Sequence, residues 1–128
     1  MMKTVTIVIP TYNEELNVNI AYEKINEIVA PLREKYRFEL LFVDNDSTDR
    51  TRQMIRELCE KDKQVKAILN ARNFGQARSH FYGLIQAEGD CAILLHADLQ
   101  NPPEVILQFL SEWEKGSKVV IGIKDNSK

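Results

Sequence analysis

Only two cysteines, Cys59 and Cys91, occur in the 128 residues, far apart and outside any CxxC or Cys/His spacing. That excludes a disulfide framework and a thiolate zinc site, and leaves packed, reduced thiols as the expectation. An excess of either charge is also missing, because 17 Lys and Arg against 19 Asp and Glu leave a formal net charge of −2. Without a basic field, nucleic acid and acidic membrane surfaces are poor partners. No run approaches the roughly 18 apolar residues that cross a bilayer, so no transmembrane segment is expected. The opening MMKTVTIVIPTYNEE reads as a first strand and loop, not as a signal peptide. The five glycines form neither GxGxxG after a first strand nor GxxxxGK[ST], which disfavours a Rossmann dinucleotide site and a P-loop. These absences predict a soluble, cytoplasmic, single domain.

What is present is a strong alternation. With 44% hydrophobic residues the chain can bury a core. β-branched apolar runs at 5–9, 39–43, 65–69, 91–95 and 119–123 are separated by segments with helical spacing. Ala21, Ile25, Ile28, Val29 and Leu32 form one stripe, Ile55, Leu58 and Cys59 a second, and Val105, Ile106, Phe109, Leu110 and Trp113 a third. Helix starts are expected at Asn13, at Ser47 or Thr48, and at Asn101 ahead of two prolines, with Gly116 ending the last helix. Strands apolar at nearly every position expect burial on both sides. The predicted class is therefore α/β, an open, mostly parallel sheet with helices on both faces.

A parallel sheet delivers the C-terminal ends of its strands to one edge, where open α/β folds hold ligands. Four polar segments gather there: PTYNEE at 10–15, VDNDSTDRT at 43–51, NARNFGQ at 70–76 and HADLQNPPE at 96–104. Within the last, His96, Asp98 and Gln100 stand at i, i+2 and i+4, an oxygen-rich set suited to Mg²⁺ or Mn²⁺, with the imidazole tilting the choice toward Mn²⁺. Each residue alone has a plain structural reading: Asn13, Ser47 and Asn101 as N-caps, Asp44 as a turn residue, His96 as a hydrogen-bonded strand-end histidine, Tyr12 as packing, and Arg72 and His80 as solvated. Their convergence on one edge favours a binding site.

The same strings resemble glycosyltransferase family 2, and in particular its polyprenyl-phosphate (dolichol-phosphate) mannosyl- and glucosyltransferase branch. TIVIPTYNEELN is similar to the family's opening strand and loop, and FVDNDSTDRT to its D-D-G-S-x-D-x-T turn. RNFGQARSHFYGL is similar to its R-N-x-G-x3-A-x3-G-L segment, and HADLQNPPE to its D-A-D-L-Q-x-P-P-E metal loop. The resemblance implies the N-terminal, nucleotide-binding half of a GT-A fold. It implies a nucleotide-diphosphate sugar of the UDP-glucose or GDP-mannose type, held by Pro10, Tyr12 and Glu14 about base and ribose, by Asp44 on the base edge, and by Arg72 near base or diphosphate. Asp98 becomes the catalytic metal ligand, joined by Gln100 and His96, and inversion at the anomeric carbon is the implied outcome.

Departures from the family strings carry their own expectations. His96 stands for Asp and removes a charge from the ion's shell, so weaker Mg²⁺ and better tolerated Mn²⁺ are expected. Asn45 and Asp46 replace the Asp-Gly of the turn, which asks Asp46 to adopt the left-handed backbone region that glycine favours. Gln76 stands where many polyprenyl-phosphate members have Lys, and Lys124 where the family's G-x-R has Arg. The chain is expected to be a truncated donor-binding domain spanning 1–128, whose acceptor, a polyprenyl phosphate or a cell-surface polysaccharide, is served by further segments. Those segments would also place it at the inner face of the membrane. A sheet left open invites a second copy, so a homo-oligomer is one expected outcome. The rivals are a nucleotide-sugar binding module without turnover and a receiver- or flavodoxin-like domain. The second is disfavoured by Pro10-Thr11-Tyr12-Asn13 after the first strand.

Overall fold

Val5, Thr6, Ile7, Val8 and Ile9 are β-branched without interruption, which favours extended backbone and resists helix. In the computed structural model, which describes residues 2–71, 89–98 and 104–115, they lie inside β1, Lys3–Thr11. The order continues with α1 (Val18–Val29), a single 3-10 turn (Ala30–Leu32), β2 (Tyr36–Asp44), α2 (Thr51–Lys61), β3 (Val65–Leu69), β4 (Cys91–Leu94) and α3 (Val105–Glu114). The strands pair in the order β3-β2-β1-β4, every pair parallel. The register runs from Lys3 opposite Tyr36 to Thr11 opposite Asp44, and β1 meets β4 from Val5–Cys91 to Val8–Leu94.

Alternation along the strands divides the core between two faces. Val5, Ile7 and Ile9 of β1, Phe38, Leu40 and Phe42 of β2, and Ile93 of β4 share one face. Against it pack Val18, Ala21, Ile25 and Val29 of α1, Ile55 and Leu58 of α2, and Ile106 and Leu110 of α3. Ile28, Leu32, Cys59, Val105, Phe109 and Trp113, the remaining members of the three stripes, lie partly buried at its rim. Val8, Leu41 and Val43 form a second cluster with Ile68 and Leu94 against it. Both thiols are free and half-buried, and burial pushes each up from its ordinary value. Among the described residues no helix is long and apolar enough to cross a membrane.

Three expectations need correction. β1 and β2 extend beyond the apolar runs, to Lys3–Thr11 and Tyr36–Asp44, because their ends pair with each other from Lys3–Tyr36 to Thr11–Asp44, and β4 ends at Leu94 instead of residue 95. α1 starts at Val18 behind Asn17, not behind Asn13, and α2 starts at Thr51 behind Arg50, not behind Ser47 or Thr48. The oxygens expected to cap these helices are used across the loops, as described below. The helical segment expected between β3 and β4, the start signal at Asn101, the end signal at Gly116 and the strand at 119–123 lie outside the described residues.

The entry to β4 is fitted closely to β1. The Gly89 amide donates to Thr6 Oγ1 at 3.0 Å, the Asp90 amide to Thr4 O at 2.7 Å, and the Thr4 amide to Asp90 Oδ2 at 2.8 Å. A Cβ on Gly89 would meet Thr6 Oγ1 at 2.6 Å, Thr4 O at 2.8 Å and Thr6 N at 3.0 Å. Two of these are backbone atoms of a central strand and cannot give way. Gly89→Ala is therefore expected to destabilise the fold by about 1–3 kcal/mol in urea denaturation, and a loss below about 0.5 kcal/mol would contradict this packing.

Candidate functional site

The strand order places a topological switch point between β1 and β4, since the chain steps outward from β1 to β2 to β3 and then returns to the other side of β1. Pro10 opens it. The Val8 carbonyl accepts from the Leu95 amide at 2.9 Å, so the backbone of Val8, and two residues later that of Pro10, faces β4. Proline has no N–H to continue that ladder. Pairing stops there, and the chain leaving β1 and the chain leaving β4 part at the same edge.

Two loops at this edge are laced together. The amides of Asn13, Glu14 and Glu15 donate in turn to Ser47 Oγ at 2.8 Å, Thr51 Oγ1 at 2.8 Å and Asp49 Oδ2 at 3.3 Å. The return bonds run from the amides of Thr48, at 2.8 Å, and Asp49, at 3.4 Å, to Asn13 Oδ1, and from the Arg50 amide to Glu15 Oε1 at 3.0 Å. Three successive donors on each loop thus reach side-chain oxygens of the other. Asn13 manages this by adopting φ 52°, a left-handed conformation that asparagine tolerates better than most residues. Its left-handed backbone and the engagement of its Oδ1 by the Thr48 amide keep Asn13 from capping α1, which starts behind Asn17.

Beneath the lacing lies Asp44, the last residue of β2, fully buried. Its Oδ1 accepts from the Thr11 hydroxyl at 2.8 Å and the Ser47 hydroxyl at 2.5 Å, and its Oδ2 accepts from the Ser47 amide at 2.9 Å. Arg52 Nη1 stands 3.6 Å from that Oδ2. The Ser47 hydroxyl is therefore spent on Asp44 and on the Asn13 amide, not on capping α2. Asp46 takes φ 65°, the left-handed conformation expected of the residue that replaces glycine in the turn. Asp49 accepts from the Thr51 hydroxyl at 2.5 Å and the Thr51 amide at 2.9 Å. Burial alone would raise its carboxyl, but the bonds from Thr51 and from the Glu15 amide outweigh it and hold the group below its ordinary 3.8.

The expected site residues fall around this edge. Pro10 is buried in β1, and Tyr12, 49% exposed, follows immediately. Glu14 is half-buried, its Oε1 accepting from Asn17 Nδ2 at 2.8 Å. His96, half-buried, and Asp98, exposed, follow β4 on the other side of the switch point. Arg72 and Gln100 lie outside the described residues. Among the described residues no three His, Cys, Asp or Glu side chains cluster to hold an ion. A carboxylate and an imidazole two residues apart are nonetheless donors that fit a divalent ion shared with ligand phosphates. Thr11, Ser47, Asp49, Thr51 and Arg52 were not among the expected ligand residues. The density of Ser, Thr, Asp and Asn in 44–51 was the only available signal of their cross-loop role.

Comparison with known proteins identifies the fold and the family. The fold is that of GT-A glycosyltransferases. One solved neighbour is the mannosyltransferase PcManGT from Pyrobaculum calidifontis in complex with GDP-Man and Mn²⁺, with TM-score 0.65 and 28% identity over 77% of this chain and 28% of that one. S. aureus TarS 1–349 in complex with UDP-GlcNAc has TM-score 0.67 at 23% identity, covering 88% of this chain and 31% of that one, a likeness of fold alone. The family model for glycosyl transferase family 2 matches residues 6–128, and the chain belongs to that family. An uncharacterized glycosyltransferase, YkcC of Bacillus subtilis strain 168, is 38% identical over 123 residues, which is 96% of this chain and 38% of the relative. The undecaprenyl-phosphate 4-deoxy-4-formamido-L-arabinose transferase of Proteus mirabilis strain HI4320 is 40% identical over 117 residues, 91% of this chain and 35% of the relative. The chain spans little more than a third of the length of the curated relatives it matches.

Two outcomes follow from the lacing. Asn13→Ala loses both the left-handed tolerance and the acceptor for the Thr48 amide, and is expected to cost about 2–3 kcal/mol, while Asn13→Gly, which loses only the acceptor, costs about 1 kcal/mol. Equal losses in urea denaturation would contradict the backbone assignment. For Asp49 the folded carboxyl is depressed, so its contribution is complete above 3.8 and is lost as pH falls through the lower folded value. Asp49→Asn is expected to flatten the acid limb of the stability profile below pH 3.8, and an unchanged limb would contradict the bonding.

Proposed function

We propose that this edge binds a nucleotide-diphosphate sugar and that the protein transfers the sugar, with inversion, to a polyprenyl phosphate. The observation that carries the reading is the switch point at which the chains leaving β1 and β4 diverge, followed by exposed Tyr12 on one side and exposed Asp98 on the other, in a chain of glycosyl transferase family 2. The Tyr12 ring offers a platform for the base, with Pro10 and Glu14 beside base and ribose. Asp44, expected on the base edge, is fully buried with both oxygens engaged and supports the base site through Thr11 and Ser47, while Arg72 would serve the base or diphosphate. The GDP-Man named with the mannosyltransferase neighbour supports a nucleotide-diphosphate sugar donor, of the GDP-mannose or UDP-glucose type.

Asp98, with His96 and Gln100, would hold Mn²⁺ or Mg²⁺. When bound, such an ion neutralises charge that builds on the departing nucleoside diphosphate. The chain's own residues orient the donor and exclude water from its base. A lipid phosphate is already anionic and needs no general base, which suits the polyprenyl-phosphate acceptors named for the Proteus relative. Such an acceptor would place the reaction at the membrane surface. A cell-surface polysaccharide acceptor would instead require a base from further segments.

Titration calorimetry with UDP-glucose and GDP-mannose, with and without Mn²⁺, followed by a sugar-release assay with polyprenyl phosphate, tests this directly. Binding of one donor, strengthened by Mn²⁺, is the expected result, and binding of neither overturns the reading. Binding without release supports a nucleotide-sugar module lacking turnover, the alternative that His96 motivates. Asp98→Ala is expected to abolish the Mn²⁺ dependence and His96→Asp to strengthen the response to Mg²⁺. Unchanged metal dependence in the Asp98 variant removes the metal assignment.

A further inference from the structure

Arg52 occupies the first turn of α2, where the helix dipole disfavours a cation. Its position is explained by what it touches. Nη1 donates to Asn70 O at 2.7 Å and stands 3.4 Å from Asp46 Oδ1 and 3.6 Å from Asp44 Oδ2. One nitrogen therefore joins the end of β2, the left-handed residue of its turn and the first residue beyond β3. Asn70 is itself held from the other side, its amide donating to Asp44 O at 2.9 Å. The backbone at the exit of β3 is held at Asn70 between these two bonds.

The electrostatics point the same way. The described segments at this edge carry seven carboxylates, Glu14, Glu15, Asp44, Asp46, Asp49, Asp98 and Glu104, against two arginines, Arg50 and Arg52 at the start of α2. Arg50 is exposed, whereas the Arg52 side chain is 22% exposed and lies against Asp44 and Asp46. A diphosphate brings further negative charge to the same rim. Without the guanidinium, Asp46 would remain in a costly backbone conformation beside a buried carboxylate of like charge.

We infer that Arg52 is a positioning residue for donor binding: it offsets one of the two charges of the Asp44–Asp46 pair and holds the exit of β3, so that the rim accepts a diphosphate. It acts through those residues and not by touching the ligand. The inference rests on the nucleotide-sugar reading above and adds to it a determinant of phosphate affinity.

The test uses the wild-type chain and four variants, titrated with UDP and GDP and with the corresponding nucleosides, thermal denaturation reporting whether each variant is folded. Arg52→Gln removes the charge but keeps a donor for Asn70. It is expected to weaken the diphosphate by at least about tenfold and the nucleoside by less than about threefold. Arg52→Lys restores charge and is expected to recover most of the loss. Combining Arg52→Gln with Asp46→Gly removes one carboxylate, supplies glycine at the positive φ, and is expected to rescue diphosphate binding. Should Arg52→Gln alone fail to fold, Asp46→Gly with Arg52 kept carries the comparison: by removing one of the carboxylates that Arg52 offsets it is expected to strengthen the diphosphate and leave the nucleoside within about threefold, and an unchanged diphosphate overturns the assignment. Equal losses for diphosphate and nucleoside, or no rescue by Lys or by Asp46→Gly, overturn the assignment of Arg52. Wild-type binding with unaffected variants overturns it alone, whereas a wild-type chain that binds neither diphosphate overturns the nucleotide-sugar reading with it.

Discussion

A carboxylate removed from water is tolerable only when its oxygens are supplied with donors, and Asp44 meets that condition by recruiting both loops. Thr11 comes from the end of β1, Ser47 from the turn after β2, and Arg52 from the first turn of α2. Satisfying one buried charge thereby fixes three segments relative to one another. The amide bonds exchanged between residues 13–15 and 47–51 extend that constraint outward. Each such bond contributes only about 1 kcal/mol net, but together they hold the rim in one arrangement before any ligand arrives. A site prepared in this way need not spend binding energy on ordering its own backbone.

The sheet supplies the place, and Pro10 supplies the opening. A parallel order of β3-β2-β1-β4 brings the exits of β1, β2 and β4 to one edge, but a continued β1–β4 ladder would close it. The missing N–H at Pro10 ends that ladder where Tyr12 and Asp98 must diverge. The proline that propensity alone would place outside a central strand is thus accommodated, because its empty position faces a strand that has already ended.

Much of this was legible before any coordinates. The uninterrupted β-branched run at 5–9, the largely apolar run at 65–69 and the stripe through Ala21, Ile25 and Val29 specify strands and covered helices by physics that is local in sequence. The edge that gathers Pro10, Tyr12, Glu14, Asp44, His96 and Asp98 follows from parallel topology. Helix starts were misplaced for one reason: Asn13 and Ser47 have the side chains of N-caps, but their oxygens find donors in a different loop. Local patterns cannot show which of two competing sets of N–H groups an oxygen will serve. Arg52 was invisible for a related reason, since an arginine early in an amphipathic helix reads as solvated until Asn70 is brought beside it by the β2–β3 register.

The central claim is that the two loops form one rigid unit around Asp44. Amide hydrogen exchange at Asn13, Glu14, Ser47 and Thr48, measured on the free protein, tests it most directly. These amides are expected to exchange as slowly as those of the β1–β2 ladder, because each donates to an oxygen of the lacing or of Asp44. Exchange at the rate of an open loop, with the β1–β2 amides still protected, would contradict it.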